Sequence, residues 1–187
     1  MIDRYFYLIW TGLFFLIWLA LFLHRKDLRK EMLFMGGLFG IGGILSQYVY
    51  LIDWWKPITI IGTLIGFEDF FIGVFIGGIA AVVYEEVYHK KERRKCKNFL
   101  LRNVIITGVL IGCCFFGSFF LLNLNSFYSS VLAFTIPTFF ILSKRKDLIK
   151  YSFVSGILML LIGVAVYFIL FLVTPDYFHK FWYLRDG

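Results

Sequence analysis

Six long apolar runs divide this chain, and each approaches the length of helix that crosses a bilayer. They are Tyr5–Leu23, Met32–Ile52, Glu68–Val87, Val104–Leu122, Phe127–Leu142 and Tyr151–Val173. About 20 predominantly apolar residues span the hydrocarbon core. Within lipid, backbone polar groups must be satisfied inside the segment or in a closed barrel. Barrel strands alternate apolar and polar residues, whereas these runs are apolar on all sides. The expectation is an all-α polytopic membrane protein with six transmembrane helices in a single transmembrane domain, residues 1–187. The fifth run is the shortest and contains Pro137, whose freed carbonyl must find a partner in the surrounding protein. Composition agrees: 60% of residues are hydrophobic, against roughly 45–50% in a soluble domain. The first run has no small-residue cleavage site after it, so it reads as a retained helix and not a signal peptide.

The basic residues set the orientation. Arg25, Lys26, Arg29 and Lys30 fill the first loop. Lys90, Lys91, Arg93, Arg94, Lys95 and Lys97 fill the third, and Lys144, Arg145, Lys146 and Lys150 the fifth. The other side holds only Arg4, Lys56, Lys180 and Arg185. Cytoplasmic loops are the basic ones, so both termini are expected outside the plasma membrane. The net charge of +7 therefore points to the anionic lipid surface and not to nucleic acid.

Two aromatic-rich stretches stand out on the outer side. Asp53–Phe67 reads DWWKPITIIGTLIGF, too apolar for a plain loop and too short to span alone. It reads as a re-entrant or interfacial segment with Trp54 and Trp55 at headgroup depth. A second register starts the third helix at Ile58 and carries Glu68 and Asp69 toward the midplane. The tail Thr174–Gly187 places Tyr177, Phe178, Phe181 and Trp182 on one face of a short interfacial helix. Asp53-Trp54-Trp55-Lys56 and Asp176-Tyr177-Phe178-His179-Lys180 form a loose repeat, four helices apart.

Gly36 and Gly40, Gly73 and Gly77, and Gly108 and Gly112 are GxxxG pairs. Such pairs let helix backbones approach closely, within the chain or in a homo- or hetero-oligomer. Cys113 and Cys114 are adjacent, Cys96 lies in a basic loop, and there is no CxxC spacing; no disulfide framework or metal site is expected. Glu85 and His89 have i, i+4 spacing, but two ligands do not make a zinc site. No cofactor motif is present, and the glycine-rich run Gly36–Gly43 follows no strand.

Ionisable residues inside spans are the default candidates for function. Glu68 and Asp69 are adjacent and flanked by Phe67, Phe70 and Phe71. Aromatic burial and a neighbouring carboxylate both favour the neutral acid, and a neutral acid in a dry pocket is a proton donor. The plainer reading is that both cap the third helix and complement its dipole. Glu85 and Glu86, at the other end, read as a solvated cluster with Lys90, Lys91 and Arg93.

The segment YLIDWWKPITIIGTLIGFEDFFIGVFIGGIAAVVYE, Tyr50–Glu85, resembles the membrane lycopene cyclase domain family of archaea, some bacteria and fungi. That family has an aromatic outer loop with Asp and Trp, then an apolar stretch, then a Pro-x-Glu-Glu/Asp motif entering the next helix. Asp53, Trp54 and Trp55 match the loop, Glu68 and Asp69 the acidic pair, and Gly66 stands in the proline position. The family carries the motif once per repeat; here the second copy reaches its aromatic loop at Asp176–Trp182. The resemblance implies a carotenoid cyclase, an isomerase that closes the end group of a linear carotenoid by protonating an alkene. Glu68 and Asp69 would be catalytic, and Asp53, Trp54, Trp55, Phe67 and Phe71 would bind the apolar substrate. Aromatic faces suit the carbocation, by cation–π attraction of about 2 kcal/mol or more when desolvated. Two other classes fit the same residues: a permease for a small or lipid-like solute, and a non-catalytic membrane subunit.

Overall fold

The computed structural model describes residues 5–88 and 97–175, with side chains left out for 97–101. Six long helices account for nearly all of them: α1 (Phe6–His24), α2 (Arg29–Asp53), α3 (Phe67–Val87), α4 (Lys97–Phe120), α5 (Ser126–Lys144) and α6 (Ile149–Val173). Each contains a window long and apolar enough to cross a membrane. The protein is an all-α, multi-pass membrane protein. The tail with Asp176, His179 and Trp182, and the third loop with His89 through Cys96, lie outside the described residues.

Observed helices run slightly past the apolar windows. α2 begins at Arg29, whose Nε donates to the Phe22 carbonyl at 2.7 Å, and α4 begins at Lys97. α3 begins at Phe67, so the register that starts at Ile58 is not adopted and Glu68 and Asp69 stand in the first turn. α5 continues through buried Pro137.

The chain divides into two compact units. One is built from α4, α5 and the short 3-10 turn Lys146–Leu148. The α4–α5 turn there is closed by Asn125, whose side chain caps α5 by accepting from the Tyr128 N–H at 3.0 Å.

The other unit contains α1, α2, α3 and α6 from Phe153 onward. Its core joins Phe6, Phe14 and Trp18 of α1, Met32 of α2, Ile72, Phe75, Ile79, Val82 and Val83 of α3, and Val166 and Leu170 of α6. A glycine seam brings α2 and α3 together. A Cβ on Gly36 would lie 2.8 Å from the Val74 carbonyl, and one on Gly40 2.8 Å from Phe70 and Val74 side-chain atoms. From the other side, a Cβ on Gly73 would run into the Phe39 carbonyl and come within 2.9 Å of the Gly40 Cα. Hydrophobicity does not drive helices together in lipid, so such close backbone packing is a main source of association. Two of these three GxxxG pairs are thus consumed inside the chain; a Cβ added at Gly108 or Gly112 would meet nothing within 4 Å among the described residues beyond its own helix backbone.

Opposite ends of this unit carry polar ties. At one, Arg25 in the α1–α2 turn donates to the Glu85 carbonyl at 2.8 Å and to Glu86 Oε2 at 3.2 Å. It also grips Asp27 with Nε and Nη2, at 3.0 and 3.1 Å. Asp27 first, then Glu86, pushes the Arg25 guanidinium above its ordinary range. Glu86 therefore pairs with the first loop; the lysines expected beside it lie outside the described residues.

Candidate functional site

The other polar tie surrounds the two acids. Gly66, in extended backbone, precedes α3, and its N–H donates to Asp69 Oδ2 at 2.7 Å. This is the N-terminal cap expected of an acid three residues into a helix. The second oxygen does something else: Oδ1 accepts from the Tyr7 hydroxyl at 2.5 Å, 62 residues away on α1. Asp69 is 2% exposed and Tyr7 equally buried. The capping reading holds for Asp69, not for Glu68, and an interhelical bond is added to it.

Glu68 is completely buried and faces elsewhere. Its Oε1 accepts from the Ile60 N–H at 2.7 Å, and its Oε2 has no partner among the described residues. Neighbouring helical residues diverge by about 100°, which is why the two carboxyl groups serve different surroundings. Glu68 holds residues 54–66 against the start of α3. That stretch is irregular and folded on itself: Thr59 Oγ1 donates to the Thr63 carbonyl at 2.6 Å, and the Gly62 N–H to the Thr59 carbonyl at 3.0 Å. Gly62 has φ +79°, a conformation that favours glycine. Ile61 and Leu64 project outward from it.

Gly66 shows why no side chain fits the position before the acids. A Cβ there would collide with Glu68 Oε2 and lie 2.7 Å from Thr59 Cγ2. A proline, as in the resembled family, would meet the same obstruction. Gly66→Ala is expected to turn Glu68 out of place and release Ile60. Hydrogen–deuterium exchange should then rise at the Ile60 amide, with overpacking costing about 1–3 kcal/mol. Unchanged protection at Ile60 would show that Glu68 is not the latch.

Asp69 opens on a cavity of about 150 Å³. Its walls are Phe6, Tyr7 and Trp10 of α1, Gly43, Ser46, Gln47 and Tyr50 of α2, Trp54 and Trp55 just beyond it, Ile72 of α3 and Tyr167 of α6. The rings meet edge to face: Tyr7 and Trp55 centroids are 6.0 Å apart at 75°, Trp10 and Trp55 5.9 Å at 79°. Trp10 and Tyr167 approach to 5.6 Å. Gly43 lies against the Asp69 carbonyl, so the α2–α3 seam ends where the acid begins and fixes its distance from α2.

Among the residues singled out from sequence, Asp69, Trp54 and Trp55 share this cavity. Glu68 and Asp53 are not on its wall. Phe67 and Phe71 are each 42% exposed and turned away from it; Phe71 stacks on Phe75 at 5.9 Å instead. Their proximity in sequence to the acids misled, because a helix carries neighbours to different faces. Tyr7, Trp10, Gln47, Tyr50 and Tyr167 were missed. One signal was present: Gly43, Gln47, Tyr50 and Trp54 recur at spacings of four, three and four, one face of α2. Gln47 is also a lone amide in an apolar run. No protein-family model matches the chain, and neither does any curated protein or solved structure.

Proposed function

We propose that this protein is a carotenoid cyclase-like membrane enzyme, closing the end group of a linear, bilayer-dissolved carotenoid without net redox change. The observation that carries the reading is a buried carboxyl group, Asp69, on the wall of a ring-lined cavity inside an apolar helix bundle. In the proposed reaction, Asp69 gives its proton to the terminal alkene and a carbocation forms. An internal double bond attacks that carbon and the ring bond closes. Loss of a C–H proton to the Asp69 carboxylate then restores the alkene and the acid, so atoms and electrons balance. The Tyr7, Trp10 and Trp55 rings suit the cationic stage. Tyr7 orients the carboxyl through its hydroxyl, and Glu68 acts on the 54–66 segment instead of the substrate.

The distribution of basic residues supports a site in the outer half of a plasma membrane, with both termini outside. The cavity lies toward the N-terminal ends of α1 and α3 and the C-terminal ends of α2 and α6, the ends remote from the basic loops.

Expression in a lycopene-accumulating host tests the reading. Extracted pigments should include cyclic carotenoid; an inserted, stable chain that yields none overturns the enzymatic assignment. Proton-coupled solute uptake in proteoliposomes, without cyclic pigment, would move the same acid to a permease.

A further inference from the structure

Among the described residues, two hydrogen-bond donors on the cavity wall have nothing to donate to. Gln47 Nε2 and Trp10 Nε1 are buried and without an acceptor among the described residues. Gln47 is only 3% exposed, so water on the outer surface does not satisfy it. The other polar groups of the wall with described bonds are met: Asp69 accepts from Tyr7 and Gly66, and Ser46 donates to the Gly43 carbonyl at 3.0 Å. Some nine-tenths of buried polar groups find partners, because an unmet donor carries its full desolvation cost. Two such donors, from different helices, on one cavity that also holds a carboxyl group, form a recognition pattern for an acceptor.

We propose that the cavity binds an apolar molecule carrying a hydrogen-bond-accepting oxygen, a carbonyl or hydroxyl, which receives the Gln47 amide and the Trp10 indole N–H. The hydrocarbon body packs on Tyr7, Trp55 and Tyr167. A cavity of this size holds a benzene-sized ring, so one six-membered end group enters and any longer chain extends beyond it. The proposal rests on the preceding reading only in taking the cavity as the ligand site. It narrows the ligand from a pure hydrocarbon to its oxygen-bearing relatives. A preference of about tenfold, the scale of one or two neutral hydrogen bonds, leaves hydrocarbon turnover measurable.

The test uses the whole chain in lipid nanodiscs and two probes of one shape, cyclohexanone and methylenecyclohexane, at matched concentrations in the bilayer. Binding is read from the indole ¹⁵N–¹H resonance of Trp10, with no turnover involved. The ketone is expected to bind about tenfold more tightly and to move that resonance. Gln47→Leu should remove most of the difference. Equal binding of the two probes to the unaltered chain overturns the proposal, and is the result a fixed water on the same donors would give. So does a ketone preference that survives Gln47→Leu and Trp10→Phe together, read in that variant from the indole resonance of Trp55 on the same wall. The comparison on the unaltered chain needs no variant to fold, and cyclisation can fail while the ketone preference stands.

Discussion

Under the proposed cyclisation, Asp69→Asn is expected to lower cyclic carotenoid formation by a factor of about 10² to 10⁴, the range contributed by a positioned general acid. The substitution keeps the side chain's shape. An amide oxygen can still accept from the Tyr7 hydroxyl or the Gly66 N–H, so α3 should remain capped and the chain inserted. What disappears is a transferable proton at the cavity wall. Glu68→Gln is the informative partner. Glu68 is the more deeply buried acid, and the sequence resemblance gives it a catalytic role beside Asp69. Yet it is absent from the cavity wall and bonded to the Ile60 amide. Gln retains an acceptor for that amide, so activity per inserted molecule should stay within a few-fold of the unaltered chain. Pigment extraction, normalised to membrane protein, separates the two. Equal losses would return the acid role to the pair, and full activity of Asp69→Asn would remove Asp69 from the chemistry.

Gly73→Ala should destabilise the bundle by about 3 kcal/mol, at or beyond the upper end of ordinary overpacking. The added methyl meets the Phe39 carbonyl and the Gly40 Cα, and backbone cannot step aside as a side chain can. The helices must separate, and every contact along the seam lengthens with them. Gly108→Ala is the matched control. Nothing lies within 4 Å of its added carbon, and alanine is intrinsically the better helix former by about 1 kcal/mol. It should be neutral or mildly stabilising. Thermal unfolding in detergent reads both; equal midpoints would mean that α2 and α3 do not depend on close approach at Gly73.

The six helices were legible because a bilayer permits few alternatives. Length, apolar runs and regularly placed basic loops were sufficient to find them. The inward faces were less so. In these helices apolar residues face both protein and lipid, and the usual contrast between a wet and a dry side is missing. Phe71 and Ile72 are equally apolar in the sequence, but only Ile72 reaches the cavity. The acid pair was legible as a pair; its division of labour was not, since it depends on a hydroxyl 62 residues away and on how residues 54–66 fold back. Gln47 was readable as an anomaly, a lone amide on a helix face shared with Tyr50 and Trp54, and only the cavity gives that anomaly a direction.

The Arg25 clamp and the Tyr7–Asp69 bond sit at opposite tips of the same two helices. Together they moor α1 to α3 fore and aft, like a plank nailed at both ends. Leaning α1 away from α3 would break one buried and one half-buried polar connection at once, one at each tip. For the proposed ligand, the favoured way in is one that leaves this pair of helices standing.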